Sequence, residues 1–308
     1  MRRLLILPAA LLLIAPQVLA DEAAPEEAPP ESARVATPEA PEEASDAPAA
    51  TVAFAVSTTN RYLYHGLLIE DEGALVQASI DLRVPVLVGQ GFVKEVDLGA
   101  TLWTSFGTGP SGTGGDTHAP RLFSEADATL SLTAELEGGW SLGASFMWYR
   151  YPNGSSGPAE EVCATLGYDD SPLWPEGGRF RGLSPTATLA YEVRGQSDDG
   201  LHLGVYLGLG VTPRLSLTAD PEGVTLAFPV TAGFSLSGYY EDADGNDETF
   251  GYVELGPELG VPLGGREGGP SFSVTVGVHV LLAGEHVKLY NEADEPELVG
   301  FITFTTSF

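Results

Sequence analysis

The chain has 308 residues, 43% of them hydrophobic, with 38 glycines and 23 prolines. Its 43 acidic and 14 basic residues give a formal charge of −29, which repels nucleic acid and leaves no basic patch to bind it. The single cysteine, Cys163, excludes an intrachain disulfide, so backbone pairing and packing must hold the fold.

Residues 1–20, MRRLLILPAALLLIAPQVLA, read as a secretory signal peptide. Arg2 and Arg3 form its basic start, Leu4 to Pro16 its apolar core, and Val18-Leu19-Ala20 its small-residue cleavage site. The apolar core is too short for a helix that must cross ~30 Å of hydrocarbon. Residues 21–50 are built almost wholly from Ala, Pro, Glu, Asp and Ser, with no aromatic residue. Such a segment cannot bury a core and is expected to be a disordered linker, a spacer or a tether.

From Thr51 to Phe308 apolar and polar residues alternate, the period of a strand with two unlike faces. Twelve segments carry the pattern: 51–63, 73–87, 94–107, 121–137, 140–152, 159–168, 185–195, 201–217, 223–240, 248–263, 271–283 and 297–308. Turn residues separate them, as in Glu137-Gly138-Gly139 and Asp220-Pro221-Glu222-Gly223. No segment stands out with the apolar stripe of a helix.

A soluble sandwich and a transmembrane barrel both produce alternating strands. Three features favour the barrel. Many alternations persist for 11–17 residues, enough for a tilted strand that needs ~9–11 to cross a bilayer. The less apolar face is small, glycine-rich and carboxylate-bearing, as a narrow wet interior requires. The chain ends in GFITFTTSF, with Leu298, Ile302, Phe304 and Phe308 on one face. This end resembles the C-terminal strand signal read by the barrel-assembly machinery of bacterial outer membranes. The expectation is an all-β, antiparallel transmembrane barrel of about 12 strands over 51–308, in the bacterial outer membrane and in contact with its lipid. The long connection 169–184 fits a short periplasmic turn poorly. Tyr62, Tyr64, Trp148, Tyr151, Tyr239 and Tyr240, near strand ends, are expected to form interfacial girdles.

Four stretches resemble one family: STTNRYLYHG (57–66), GALVQASIDL (73–82), FMWYRYPNG (146–154) and EEVCATLGY (160–168). Together they are similar to the TorF family of outer-membrane porins, with Tyr62, Gly66, Gln77, Tyr149, Tyr151, Pro152 and Glu161 at the matching positions. His65 stands where that family usually has arginine, and Arg61 where an acid is common. The resemblance covers residues 51–170, implies an outer-membrane barrel and names no substrate.

Barrel hydrolases need histidine and serine two apart on one strand. None of His65, His118, His202, His279 or His286 has serine two residues on, so no enzyme is expected, and no cofactor. EDADGNDE (241–248) has alternate carboxylates and a glycine but not the spacing of a Ca²⁺ loop, and reads as a solvated hairpin. Strand register assigns Asp81, Asp97, Glu125, Asp127, Glu135, Glu192, Glu254 and Glu258 to the lumen, with Arg83 as main counter-charge. A wall of one sign concentrates cations. The alternative is a general acidic bias of the chain, and the mid-strand carboxylates Asp127, Glu254 and Glu258 separate the two readings, because a surface bias should not place them at membrane depth. The expected function is passage of small solutes with cation preference. A closed structural or surface-interaction barrel is the alternative, with Trp103, Tyr149, Tyr206 and Phe250 as inward plugs.

Overall fold

The computed structural model describes residues 50–89, 91–109, 122–152, 157–175, 177–196, 201–220, 223–242, 244–265, 269–293 and 295–308. The expected signal peptide and nearly all of the linker lie outside the described residues.

Twelve antiparallel strands close into a barrel. They are β1 Thr51–Thr59, β2 Leu75–Val88, β3 Val93–Gly107, β4 Phe123–Leu136, β5 Trp140–Arg150 and β6 Ala159–Tyr168. β7 runs as Phe180–Gly182 and Thr186–Arg194, β8 as Val205–Val211 and Arg214–Ser216. β9 comprises Thr225–Ala227 and Val230–Ser237, β10 Phe250–Leu255 and Glu258–Gly265. β11 Ser271–Ala283 and β12 Glu297–Ser307 complete the ring. β1 pairs with β12, from Ala53↔Ser307 to Thr59↔Phe301, which joins the first strand to the last and closes the ring. Both ends of the barrel sequence therefore lie at one rim, the terminal rim. The opposite rim carries the longer connections and is called the loop rim.

The alternation turns one set of side chains out. Ile80, Leu98, Leu102, Leu130, Leu132, Leu142, Phe272, Val276 and Phe304 are all exposed on the outer wall. An apolar exterior with no exposed backbone edge is stable against lipid and costly against water. Aromatic residues gather near both rims of that wall. Phe106 stacks with Phe123, and Phe146 meets Trp148, toward the loop rim. Trp140 meets Tyr168, and Phe54 meets Phe308 edge-on, toward the terminal rim.

Of the residues expected in such girdles only Trp148 takes that place. Tyr62, Tyr64, Tyr151, Tyr239 and Tyr240 are buried inside the barrel instead. They belong to loop-rim connections that fold back into the lumen, a path that strand periodicity cannot reveal. Phe250 also departs from expectation. It pairs with Phe234 on the outer face because the register shifts between Gly233 and Phe234.

β7 to β10 are each interrupted at a proline: Pro185, Pro213, Pro229 and Pro257. Proline cannot donate to the ladder. Each of these prolines still accepts through its carbonyl, from Tyr168, Phe228, Gly256 and Val278 respectively, at 2.9–3.2 Å. The breaks thus run side by side across neighbouring strands, and half of each hydrogen-bonded pair survives. The long 169–184 connection ends at the first break. Its Asp170 carboxylate accepts from the amides of Leu183 and Ser184 and from Trp174 Nε1, all at 2.8 Å. Ser184 has φ 45°, a conformation that those bonds hold in place.

Two elements lie within the ring. An inner hairpin pairs Tyr62–Tyr64 with Leu67–Glu70. Its turn, His65-Gly66, has φ 45° and 84°, the mirror-image turn that suits a two-residue hairpin. A side chain at position 66 would strike the Tyr252 ring at 2.5 Å, so glycine is required there. A short helix, α1 Glu285–Asn291, follows β11. Residue periodicity gives no sign of it, since seven residues are too few to show a stripe.

Candidate functional site

The barrel interior is the candidate site. Register places Asp81, Arg83, Asp97, Glu125, Asp127, Glu135, Glu192, Glu254 and Glu258 on the inner face, in line with neighbours such as Ser57, Thr101, Ser105 and Gly277. They do not form one group. They divide into a plugged layer toward the loop rim and a wetter layer toward the middle and the terminal rim.

The inner hairpin fills the loop-rim layer. Leu67 is fully buried, and Tyr64 nearly so. Two wall carboxylates receive the hairpin. Glu161 accepts Tyr64 Oη at 2.7 Å and Tyr149 Oη at 3.2 Å. Glu125 is held by the hydroxyls of Tyr62 and Tyr151. Each carboxylate is thus gripped by one tyrosine of the hairpin and one from β5 or the residue just beyond it. Burial, and then the Glu161 charge, push the Tyr64 hydroxyl well above the usual tyrosine range, so it stays a donor.

His65 occupies the tip. Its ring stacks on Tyr64 and on Tyr206, both at 3.8 Å between centroids, and Nδ1 lies 2.5 Å from Tyr239 Oη. Enclosure by these rings pushes His65 down to about 3, so the imidazole is neutral. The far side of the hairpin is clamped by Asn291, the last residue of α1. Its side chain accepts from the Leu68 amide at 2.8 Å and donates to Gly66 O at 2.9 Å and Glu297 at 2.6 Å. Arg61 ties the base of the hairpin to Glu297 at 2.6 Å.

The second layer carries charge and is more accessible, apart from Asp97, which is 2% accessible. Arg83 pairs with Asp97 at 2.5 Å and approaches Glu135 at 3.9 Å. Asp81 accepts from Ser79 at 3.0 Å and Thr101 at 2.7 Å. Around the wall, His279 lies between Glu254 at 2.8 Å and Glu258 at 3.0 Å. The side chains of Arg83, Glu135, Glu254 and Glu258 keep 26–32% of their surface accessible, whereas Glu125 and Asp127 keep at most 5%. The inward residues Gly99, Ser131, Thr133 and Gly143 on this stretch of wall are small.

The acidic loop 241–248 acts as a bracket. Glu241 accepts from the amides of Leu201 and His202, Asp242 from Asn246, and Glu248 from the His286 amide at the start of α1. Sequence reading missed the tyrosine pairs on Glu125 and Glu161, and the part played by His65. One signal was available: His65-Gly66 between two short apolar runs is a hairpin-turn dipeptide, with histidine where asparagine is usual.

No family model matches the sequence, and no curated protein matches it. Among solved structures, an outer-membrane channel from Pseudomonas putida F1 is similar, with a TM-score of 0.50 and 15% identity over 86% of this chain and 98% of that one. The NanC porin follows at a TM-score of 0.44 and 10% identity, over 83% and 98% of the two chains. The β domain of the Bordetella autotransporter BrkA aligns at 0.40 and 13% identity, over 85% and 99%. The first likeness shows a shared fold, that of an outer-membrane β-barrel.

Proposed function

We propose that the protein is a bacterial outer-membrane channel that passes small solutes and favours cations. The observation that carries this reading is the second lumen layer. There Asp81, Glu135, Glu254 and Glu258 keep part of their surface accessible beside Arg83 and His279, while Asp97 is buried against Arg83. Carboxylates on a low-dielectric wall attract cations and repel anions. The apolar outer wall, its two aromatic girdles and the fold shared with the Pseudomonas putida F1 channel support the location. The terminal rim then faces the periplasm. Phe308, paired through its backbone with Val52, is the end that the barrel-assembly machinery would engage. The resemblance to TorF porins agrees with this reading, and its matching residues Tyr62, Tyr149, Tyr151 and Glu161 meet around the hairpin.

The plug supports a second reading, a closed barrel. The hairpin is packed as a core is packed, with Leu67 and Tyr149 fully buried. Planar-bilayer recording of the refolded chain decides between the two. We expect discrete steps and a reversal potential on the cation side in a salt gradient. Neutralising the pair with Glu254→Gln and Glu258→Gln should cut the cation-to-anion permeability ratio several-fold. No steps at all, or anion preference in the unmodified chain, would defeat the channel reading.

A further inference from the structure

We infer that the connection between β6 and β7 is a membrane foot: its segment 171–175 turns out over the barrel wall and lies in the interfacial zone of the leaflet at the terminal rim, against phospholipid. The connection 169–184 is long for a turn at that rim, and its segment SPLWP (171–175) carries no charge in a chain of net −29. The place of the segment follows from Phe180. Phe180 pairs with Leu215, Leu215 with Leu226, Leu226 with Leu259 and Leu259 with Val276, so the five share one face of the sheet. Leu215, Leu259 and Val276 are exposed on the outer wall, so Phe180 points outward with them. Trp174 stands edge-on to the Phe180 ring, with centroids 4.5 Å apart. The indole therefore packs on the outside of the barrel. Tyr168, which meets Trp140 in the terminal-rim girdle, is the residue just before the connection.

The segment is tied in place and yet shows apolar surface. The Ser171 amide donates to Asp169 Oδ1 at 2.9 Å, the Leu173 amide to Asp170 O at 3.0 Å and the Trp174 amide to Ser171 O at 3.2 Å. Trp174 Nε1 donates to the Asp170 carboxylate at 2.8 Å. Held this way, Leu173 stays 70% and Trp174 37% accessible, with Pro172 and Pro175 exposed beside them. Water solvates such surface at a cost. At a membrane interface leucine enters the acyl chains and the indole sits at headgroup level, where tryptophan is enriched. Phospholipid is the occupant that fits, because the patch continues a wall that already faces lipid. A second copy or a periplasmic protein would have to displace lipid from it. The inference rests on the outer-membrane location and holds whether or not solutes pass.

The test uses the full chain refolded into liposomes of phosphatidylethanolamine and phosphatidylglycerol. Trp174 emission is taken as the difference between the unmodified chain and Trp174→Phe. We expect lipids brominated near the ester to quench it more strongly than lipids brominated at the chain end, and aqueous iodide to quench it severalfold less than free indole. Leu173→Glu, at an exposed position, should restore iodide quenching severalfold while the β-sheet circular dichroism stays unchanged. Where Trp174→Phe fails to fold, an environment-sensitive fluorophore on Leu173→Cys reads the same depth, since Cys163 is buried. Iodide quenching equal to that of free indole, with no effect of brominated lipid, would put the segment in water and overturn the inference. So would protection from iodide that fades as the lipid-to-protein ratio is raised, the mark of a second copy on the patch.

Discussion

At the scale of single residues, the interior is governed by buried acids and the hydroxyls that face them. Glu161 is 2% accessible and makes no ion pair among the described residues; Tyr64 and Tyr149 stand in for a counter-charge. Removing one of two donors on a buried carboxylate costs about 1.5–3 kcal/mol. Tyr64→Phe should therefore lower unfolding stability by about that amount, measured by urea denaturation in micelles. A loss below about 0.5 kcal/mol would mean that water replaces the hydroxyl. His65 supplies a pH dependence. Its folded value, about 3, lies below the ordinary 6.5, so its contribution is full above pH 6.5 and is lost as pH falls toward 3. Glu70, at the hairpin base, has the opposite sign. Burial raises it to about 7, so its contribution is full below 4.5 and fades as pH rises to 7. His65→Asn keeps the turn and should remove the acid-side loosening, while Glu70→Gln should remove the neutral-side one. Amide exchange of Leu67 and Leu68 at pH 4 and pH 7 reads both.

At the scale of elements, the proline breaks and the inner hairpin share one feature: local backbone rules are relaxed where a side chain compensates. Leu183, Ser184 and Pro185 separate the two pieces of β7, and Asp170 takes up the amides of Leu183 and Ser184. Asp170→Ala would strand these donors and Trp174 Nε1 together. We expect a loss of about 2–4 kcal/mol and a red shift of Trp174 emission. An unchanged spectrum would show that Phe180, stacked edge-on at 4.5 Å, holds the indole alone. The hairpin is the converse case. Its turn places a histidine at positive φ, a modest strain that the Tyr64 and Tyr206 rings and the Tyr239 hydroxyl offset.

At the scale of the whole molecule, the −29 charge is distributed with a purpose that composition cannot show. Glu241, Asp242 and Glu248 brace loops at the loop rim, Glu125 and Glu161 receive the plug, and Glu254 and Glu258 flank His279 in the wet layer. On the channel reading, only the last of these three sets sits where it would act on a passing ion. Selectivity should therefore respond to Glu254 and Glu258 and remain unmoved by Glu241→Gln, a contrast that reversal potentials measure directly.

The sequence alone determined the ring. Alternation has a period of two and each strand pairs with its chain neighbour, so twelve polar-apolar runs specify twelve staves and, where no register shift intervenes as it does before Phe250, the face each residue turns to. The interior arrangement was not legible. Tyr62, Tyr64, Tyr239 and Tyr240 lie in connections without periodicity, and aromatic residues near strand ends suit a membrane girdle and a lumen plug equally well. Nor does any local pattern join Tyr64 to Glu161, 97 residues apart, or Leu68 to Asn291, 223 apart. Such contacts arise only when closure brings opposite walls within reach of a loop folded inward. Tertiary structure therefore decided which acids are dry, which are wet, and what closes the loop rim.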